Sequence, residues 1–284
     1  MSEKIIALVD GSVYSASVCD HAAWIAGRTD APVELLHVLR RPDGAETSDR
    51  SGAIALGART ALLNELATLD AQRAKLMMER GRAILDDARD RLEQANVSGV
   101  TTRLRHGDIV ETVAEIEDQA RVIVIGKRGE AADFATGHLG SNLERILRSA
   151  HKPVLVASRA FRPIEKVLVA FDGGTSALNA IDHIARSPVF LGLTVHIVTV
   201  GTASAQVTKG LENAQATLRA AGILAETTIL PGQPETALAR LVEDAGFDML
   251  VMGAYGHSRI RSLIIGSTTT AMIRACKVPL VLMR

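Results

Sequence analysis

Aromatic side chains are scarce, at 3% of 284 residues. A chain with so few lacks the stacking platforms that single-stranded nucleic acids need. Cysteine is scarcer still: Cys19 and Cys276 lie near opposite ends, with no CxxC and no Cys/His cluster at zinc spacing. Disulfide scaffolds and structural zinc are excluded. Charge of one sign is not in excess, because Lys+Arg and Asp+Glu are 32 each. No net field steers the molecule to nucleic acid or to an anionic membrane surface. Long hydrophobic runs are also missing. The first, Ile5 to Val9, is too short for an export signal, and none reaches the roughly 18 apolar residues of a membrane span. The expected address is therefore cytoplasmic.

What is present is a composition with 47% hydrophobic and 23% charged residues, enough to bury a core. Length suggests two domains. The chain reads as one unit written twice. KIIALVDGS (4–12) returns as KVLVAFDGGTS (166–176), PVELLHVL (32–39) as LTVHIVTV (193–200), and RLRHGD (103–108) as TILPGQP (228–234). RVIVIGKRG (121–129) matches DMLVMGAYG (248–256), and KPVLVAS (152–158) matches KVPLVLM (277–283). Strand-like runs alternate with helical spacing, as in Ala177, Ile181, Ile184 and Ala185, which indicates βαβ units and parallel strands covered on both faces. The expected fold is α/β: two doubly wound five-stranded parallel sheets in tandem, over residues 1–160 and 161–284.

The halves differ. The first spends residues 40–98 between its second and third strands, and the second only 202–222. A Pro/Gly/Asp/Ser stretch leads into a helical pattern carrying Leu62, Leu66, Leu69, Leu76, Ile84, Ala88 and Leu92. Such a helix overhangs a compact domain and covers a surface or meets a partner. The second half is poorer in charge, as if more of it were buried.

The most informative stretch is GAYGHSRIRSLIIGST (253–268), directly after a strand. Its pattern is GxxGx9GS. A glycine at a strand end allows a turn with φ > 0 and lets a ligand approach the main chain. Gly266 and Ser267 would open a helix whose free N–H groups suit an anion, naturally a phosphate. The pattern is neither Walker A nor the dinucleotide fingerprint.

Taken with the aspartate that ends strand one and with the duplication, this spacing resembles the universal stress protein family in tandem form. The resemblance implies strand order 3-2-1-4-5 in each half, with ATP bound at the switch point between strands one and four. It places ATP on Ala170, Asp172, Val200, Met252, Gly253, Gly256, Gly266, Ser267 and Thr268, with Mg²⁺ held only through the phosphates. Tyr255 departs from the family's basic or polar residue there, and Arg259 or Arg261 could supply the charge. The first half offers a weaker second site at Asp10, Val38, Ile125, Gly126, Gly129, Gly140 and Ser141. An extra residue, Glu130 and Asp133 count against that site, and Lys127 and Arg128 count for it. The resemblance also implies pairing through the fifth strands, here internally between Pro153–Val156 and Pro279–Leu282 as a pseudo-twofold dimer. Two such chains could pair further.

Less specific readings apply elsewhere. His138 and His257 have no orienting carboxylate at fixed spacing and read as solvated loop residues. Ser267 lacks a nucleophile elbow and reads as a phosphate donor or helix cap. Cys19, Cys276 and Trp24 read as packing residues. No catalytic or metal-ligating set is evident. The expectation is an ATP-binding stress-response module, with a nucleotide-independent interaction protein or a weak ATPase as alternatives.

Overall fold

Branched apolar residues dominate the central strands, which are covered on both faces, whereas the edge runs 101–106 and 225–230 are more polar. The computed structural model describes residues 3–39, 56–129, 140–254 and 266–284. The first half runs β1 (Lys4–Leu8), α1 (Ser15–Thr29), β2 (Val33–Leu39), α2 (Leu56–Gln94), β3 (Thr101–His106), α3 (Ile109–Ile116), β4 (Ala120–Gly126), α4 (Ser141–Ser149), β5 (Val154–Ala157). The second repeats the series as β6 (Lys166–Ala170), α5 (Thr175–Arg186), β7 (Thr194–Val200), α6 (Ala205–Ala220), β8 (Ala225–Leu230), α7 (Pro234–Asp244), β9 (Met249–Gly253), α8 (Ser267–Ala275), β10 (Leu280–Met283).

All ten strands form one sheet, in the order β3-β2-β1-β4-β5-β10-β9-β6-β7-β8. The two expected five-stranded sets are thus halves of one continuous sheet, joined at their fifth strands. The reason lies in β5 and β10, whose residues are all buried. An apolar strand left at an edge would expose a row of unpaired N–H and C=O groups, and joining the two edges removes both liabilities. The joint is antiparallel, with Val154, Leu155 and Val156 opposite Leu282, Val281 and Leu280. The other pairings are parallel. The carboxyl ends of the first half's strands therefore lie on the opposite edge of the sheet from those of the second half.

One apolar layer lies under α1, α2, α5 and α6, and another under α3, α4, α7 and α8; each contains residues of both halves. Across the joint, Arg28 Nε donates to the Val189 carbonyl at 2.6 Å and Nη2 to that of Leu191. Its guanidinium also lies 5.7 Å from the Trp24 ring centre, so Trp24 sits at the interface between halves. The ring of His21 meets Phe161 edge-on at 5.0 Å.

Two chemical consequences follow from this burial. Burial pushes the Cys19 thiol up to about 12 and that of Cys276 up to about 11. The thiolate is the reactive form, so at pH 8 a thiol-specific disulfide reagent is expected to label neither in the native chain and both after denaturation. Rapid native labelling would refute that placement. Burial also lowers the pKa of His21 and His183, the latter further through Arg121. His21 Nδ1 donates to the Ser17 carbonyl at 2.7 Å, and its buried Nε2 has no hydrogen-bond partner. Both imidazoles thus fold preferentially in the neutral form. The unfolded chain binds more protons below its own histidine pKa, about 6.5, so stability is full above that pH and falls as pH drops toward the lowered folded values. Urea midpoints should be flat from pH 8 to 7 and decline from about 6.5 downward. A midpoint rising between pH 7 and 5 would contradict this.

Candidate functional site

Strand order reverses between β1 and β4, and the crevice at that point opens beyond their carboxyl ends. It is a cavity of about 310 Å³, and all seven residues singled out in the first half line it: Asp10, Val38, Ile125, Gly126, Gly129, Gly140 and Ser141. Its walls are apolar where Leu36, Val38 and Ile125 meet, and polar where Asp10, Arg128, Ser141 and Asn142 converge. That volume is at the small end of the roughly 300–1,000 Å³ found for small-molecule sites.

Asp10 is held by its own turn. Its Oδ1 accepts from Ser12 N at 3.0 Å and from Ser15 Oγ at 3.3 Å, the local capping role expected of a strand-end aspartate. Its Oδ2 faces Gly129, where a Cβ would lie only 2.7 Å away. In the second half Asp172 Oδ1 accepts from Gly174 N at 2.8 Å. The same division of labour recurs one strand over: His37 Nδ1 donates to the Val9 carbonyl at 2.7 Å, and Thr199 Oγ1 to that of Phe171 at 2.6 Å. Each bond ties strand one to strand two just before Val38 and Val200.

In the second half Ala170 and Met252 are register partners on β6 and β9, with Val200 at the end of the neighbouring β7. Gly253 ends β9, and Gly266, Ser267 and Thr268 open α8. Thr269 Oγ1 donates to the Ala254 carbonyl at 3.3 Å and holds the first turn of α8 against the end of β9. Gly256, Tyr255, His257, Arg259 and Arg261 lie outside the described residues, as do Glu130, Asp133 and His138 in the first half.

The glycines divide into three kinds, and this corrects the expectation that strand-end glycines turn with φ > 0. Positive φ belongs instead to Gly11 and Gly173, the residues after the two aspartates, at +77° and +74°. Gly126 and Gly253 are packing glycines: a Cβ would stand 2.7 Å from Tyr14 Cβ or 2.8 Å from Ser176 Cβ, where α1 and α5 start. Gly140 and Gly266 are different. Their φ values are −59° and −58°, which any residue adopts, and the nearest atoms to an added Cβ are 3.6 Å and 3.5 Å away. Among the described residues, neither backbone shape nor packing calls for glycine there. Both are N-caps of helices with no side-chain cap among the described residues, and the first N–H groups of such a helix suit an outside acceptor. By contrast, α3 and α6 are capped by Asp108 and Ser204.

Sequence reasoning missed the roof of the first cleft. Met77, Arg80 and Ile84 of α2 line it, and α2 is seated by buried Leu85, Ala88 and Leu92. The Arg91 guanidinium grips Asp20 of α1 with two bonds, at 2.6 and 2.8 Å. Gly81 permits the approach, since a Cβ there would meet Leu104 Cδ1 at 2.9 Å and His37 Cδ2 at 3.0 Å. The helical period marks Ile84 as inward-facing, but nothing in the sequence says over which edge the helix lies. Lys127 is a correction in the other direction. Its Nζ donates to the carbonyls of Arg274 and Cys276, at 2.9 and 3.0 Å, and not into the cleft as expected, because the antiparallel joint brings the end of α8 beside the end of β4. Arg128 does line the cleft. Among the described residues no group of three His, Cys, Asp or Glu could hold a metal ion, and no helix is long and apolar enough to cross a membrane.

Comparison with known proteins agrees with the duplication. The model of the universal stress protein family matches residues 1–158 and again 163–284. Universal stress protein Slr1230 of Synechocystis is 37% identical over 286 residues, covering 99% of this chain and 100% of that one. Universal stress protein Rv1996 of Mycobacterium tuberculosis is 25% identical over 237 residues, covering 73% and 74%. The crystal structure of a universal stress protein from Archaeoglobus fulgidus superposes with a TM-score of 0.71 at 20% identity, covering 100% of this chain and 97% of that one, a likeness of fold. With two matches that span nearly its whole length, the chain belongs to the universal stress protein family.

Proposed function

We propose that this chain is an ATP-binding regulatory module with two nucleotide units, residues 1–160 and 161–284, joined as an internal dimer through β5 and β10. Cleft 1 comprises Asp10, Val38, Ile125, Gly126, Gly129, Gly140 and Ser141, and cleft 2 comprises Ala170, Asp172, Val200, Met252, Gly253, Gly256, Gly266, Ser267 and Thr268. In each, the aspartate accepts from ribose hydroxyls, the valine packs the base, and the glycine-led helix receives the phosphates, with Mg²⁺ entering only through them. The function is regulated binding: nucleotide orders the glycine loops and a partner reads the bound or empty state.

One observation carries this reading. Among the described residues nothing requires glycine at Gly140 or Gly266, which start two helices with no side-chain cap, and Gly140 shares its cavity with Asp10. A missing Cβ that no described neighbour calls for leaves room for an outside group, and N–H groups at a helix start favour an anion. Equilibrium dialysis with ATP tests it. The wild-type chain should bind, and Gly140→Ala and Gly266→Ala should each weaken its own cleft by at least about tenfold. Stability should be unchanged or raised by about 0.4–1 kcal/mol, as for Gly→Ala at a compatible φ. No binding by the wild type, or no effect of either alanine, would sink the proposal.

A second reading has one observation in its favour. Leu62, Leu66, Leu69 and Leu76 of α2 are exposed, which suits a nucleotide-independent interaction surface. ATP released from the purified protein on denaturation would exclude that reading as the sole function.

A further inference from the structure

Two helices start at the clefts, and each is held at its far end by a cation from the other half. Helix α8 starts at Gly266 of cleft 2, and its last carbonyls, those of Arg274 and Cys276, accept from Lys127 Nζ. Lys127 lies between Gly126 and Arg128, two residues that line cleft 1. Helix α4 starts at Gly140 of cleft 1, and the Arg148 carbonyl in its last turn accepts from Nη1 of Arg284 at 3.4 Å. Arg284 follows Met283, whose carbonyl accepts from Ala254 N at the end of β9 in cleft 2. The antiparallel joint makes this possible, because it places the strand-end loops of one half beside the carboxyl ends of the other half's cradle helices. The Lys127 bonds are the stronger of the two sets, with two acceptors near 3 Å and a half-buried ammonium. A cation there meets both the free carbonyls and the negative end of the helix dipole.

We infer that Lys127, which belongs to the cleft 1 loop, is a positioning residue for cleft 2: it fixes α8 from behind and so sets where Gly266, Ser267 and Thr268 meet a nucleotide's phosphates. Helix α8 has nine residues, roughly 13 Å at 1.5 Å each, short enough to move as a rod. Movement of the cleft 1 loop on ligand binding would shift Lys127 and with it the cradle across the sheet, which couples the two clefts. Because coupling is reciprocal, occupancy of cleft 2 would change the affinity of cleft 1 by the same factor.

This inference rests on the nucleotide-binding reading above, and its test separates the two. In the full-length chain carrying Gly140→Ala, cleft 2 reports ATP binding; adding Lys127→Met should weaken that binding about fivefold, the low end of measured couplings. Lys127→Arg, which keeps the charge and the reach to a carbonyl, should restore it to within about twofold. Unchanged ATP affinity with Lys127→Met overturns the inference while leaving the functional reading intact. So does a larger loss at cleft 1, measured in the Gly266→Ala chain, since Lys127 would then be a direct phosphate ligand. Amide hydrogen exchange of the nucleotide-free chain supplies a readout without ATP. Residues Thr270 to Arg274 should exchange several-fold faster with Lys127→Met than in the wild type, and identical rates overturn the inference even if ATP binds nowhere.

Discussion

Leu155→Asp is expected to remove more than about 4 kcal/mol of folding stability at 25 °C. Leu155 lies at the centre of β5, opposite Val281 of β10, and is 1% exposed. The contact holds together the one seam on which both apolar layers depend, because each layer contains residues of both halves. A carboxylate at that position would lose its water without a partner, and a protonated one would still bury an unpaired hydroxyl. Such changes cost more than about 4 kcal/mol, against a total stability of about 5–15 kcal/mol for a native protein. Leu155→Ala is the graded version, with an expected loss of about 3 kcal/mol from the lost methyl groups and the cavity they leave. Urea unfolding followed by Trp24 fluorescence and by far-ultraviolet circular dichroism reads both. The two signals should move together for Leu155→Ala, because Trp24 flanks the joint while helices of both halves dominate the dichroism. A loss below about 1 kcal/mol, or two separated transitions, would show that the halves stand without each other.

Gly253→Ala should destabilise the chain by about 1–3 kcal/mol, the cost of overpacking a tight contact. A Cβ there would lie 2.8 Å from Ser176 Cβ and 3.4 Å from Ala177 N, atoms close to the backbone of α5 that cannot swing away. Relief requires α5 to move off the sheet, and Ala177, Ala180, Ile181 and Ile184 are buried on that face. The neighbouring glycine of the same motif should behave oppositely. Gly266→Ala keeps its stability and loses affinity, whereas Gly253→Ala loses stability first. Thermal melts of the two variants side by side decide the point, and equal melting temperatures would show that the two glycines share one role.

The contrast marks how far the motif could be read from sequence. GxxGx9GS, in register with two sets of five strand-like runs, was enough to single out candidate residues, because glycine and serine spacing is local and survives without coordinates. It could not say why each glycine is there. Distinguishing a glycine kept for packing from one kept open requires knowing what stands within about 3 Å of a Cβ that does not exist. At Gly253 that neighbour is Ser176, 77 positions earlier in the chain, and at Gly126 it is Tyr14.

Sequence alone determined the duplication, the alternation of strand and helix, the parallel halves and the residues at each strand end. These follow from periods of two and 3.6 and from turn residues acting on their immediate neighbours. Tertiary structure decided what depends on distant segments meeting. It set the antiparallel register of the joint, Leu155 opposite Val281, which makes the two five-stranded sets one continuous sheet. It laid α2 over cleft 1 and brought Arg80 to its rim, and it turned Lys127 toward the far end of α8. A side chain's partner is set by which backbone lies within hydrogen-bond reach after the chain has packed, and no local pattern encodes that distance.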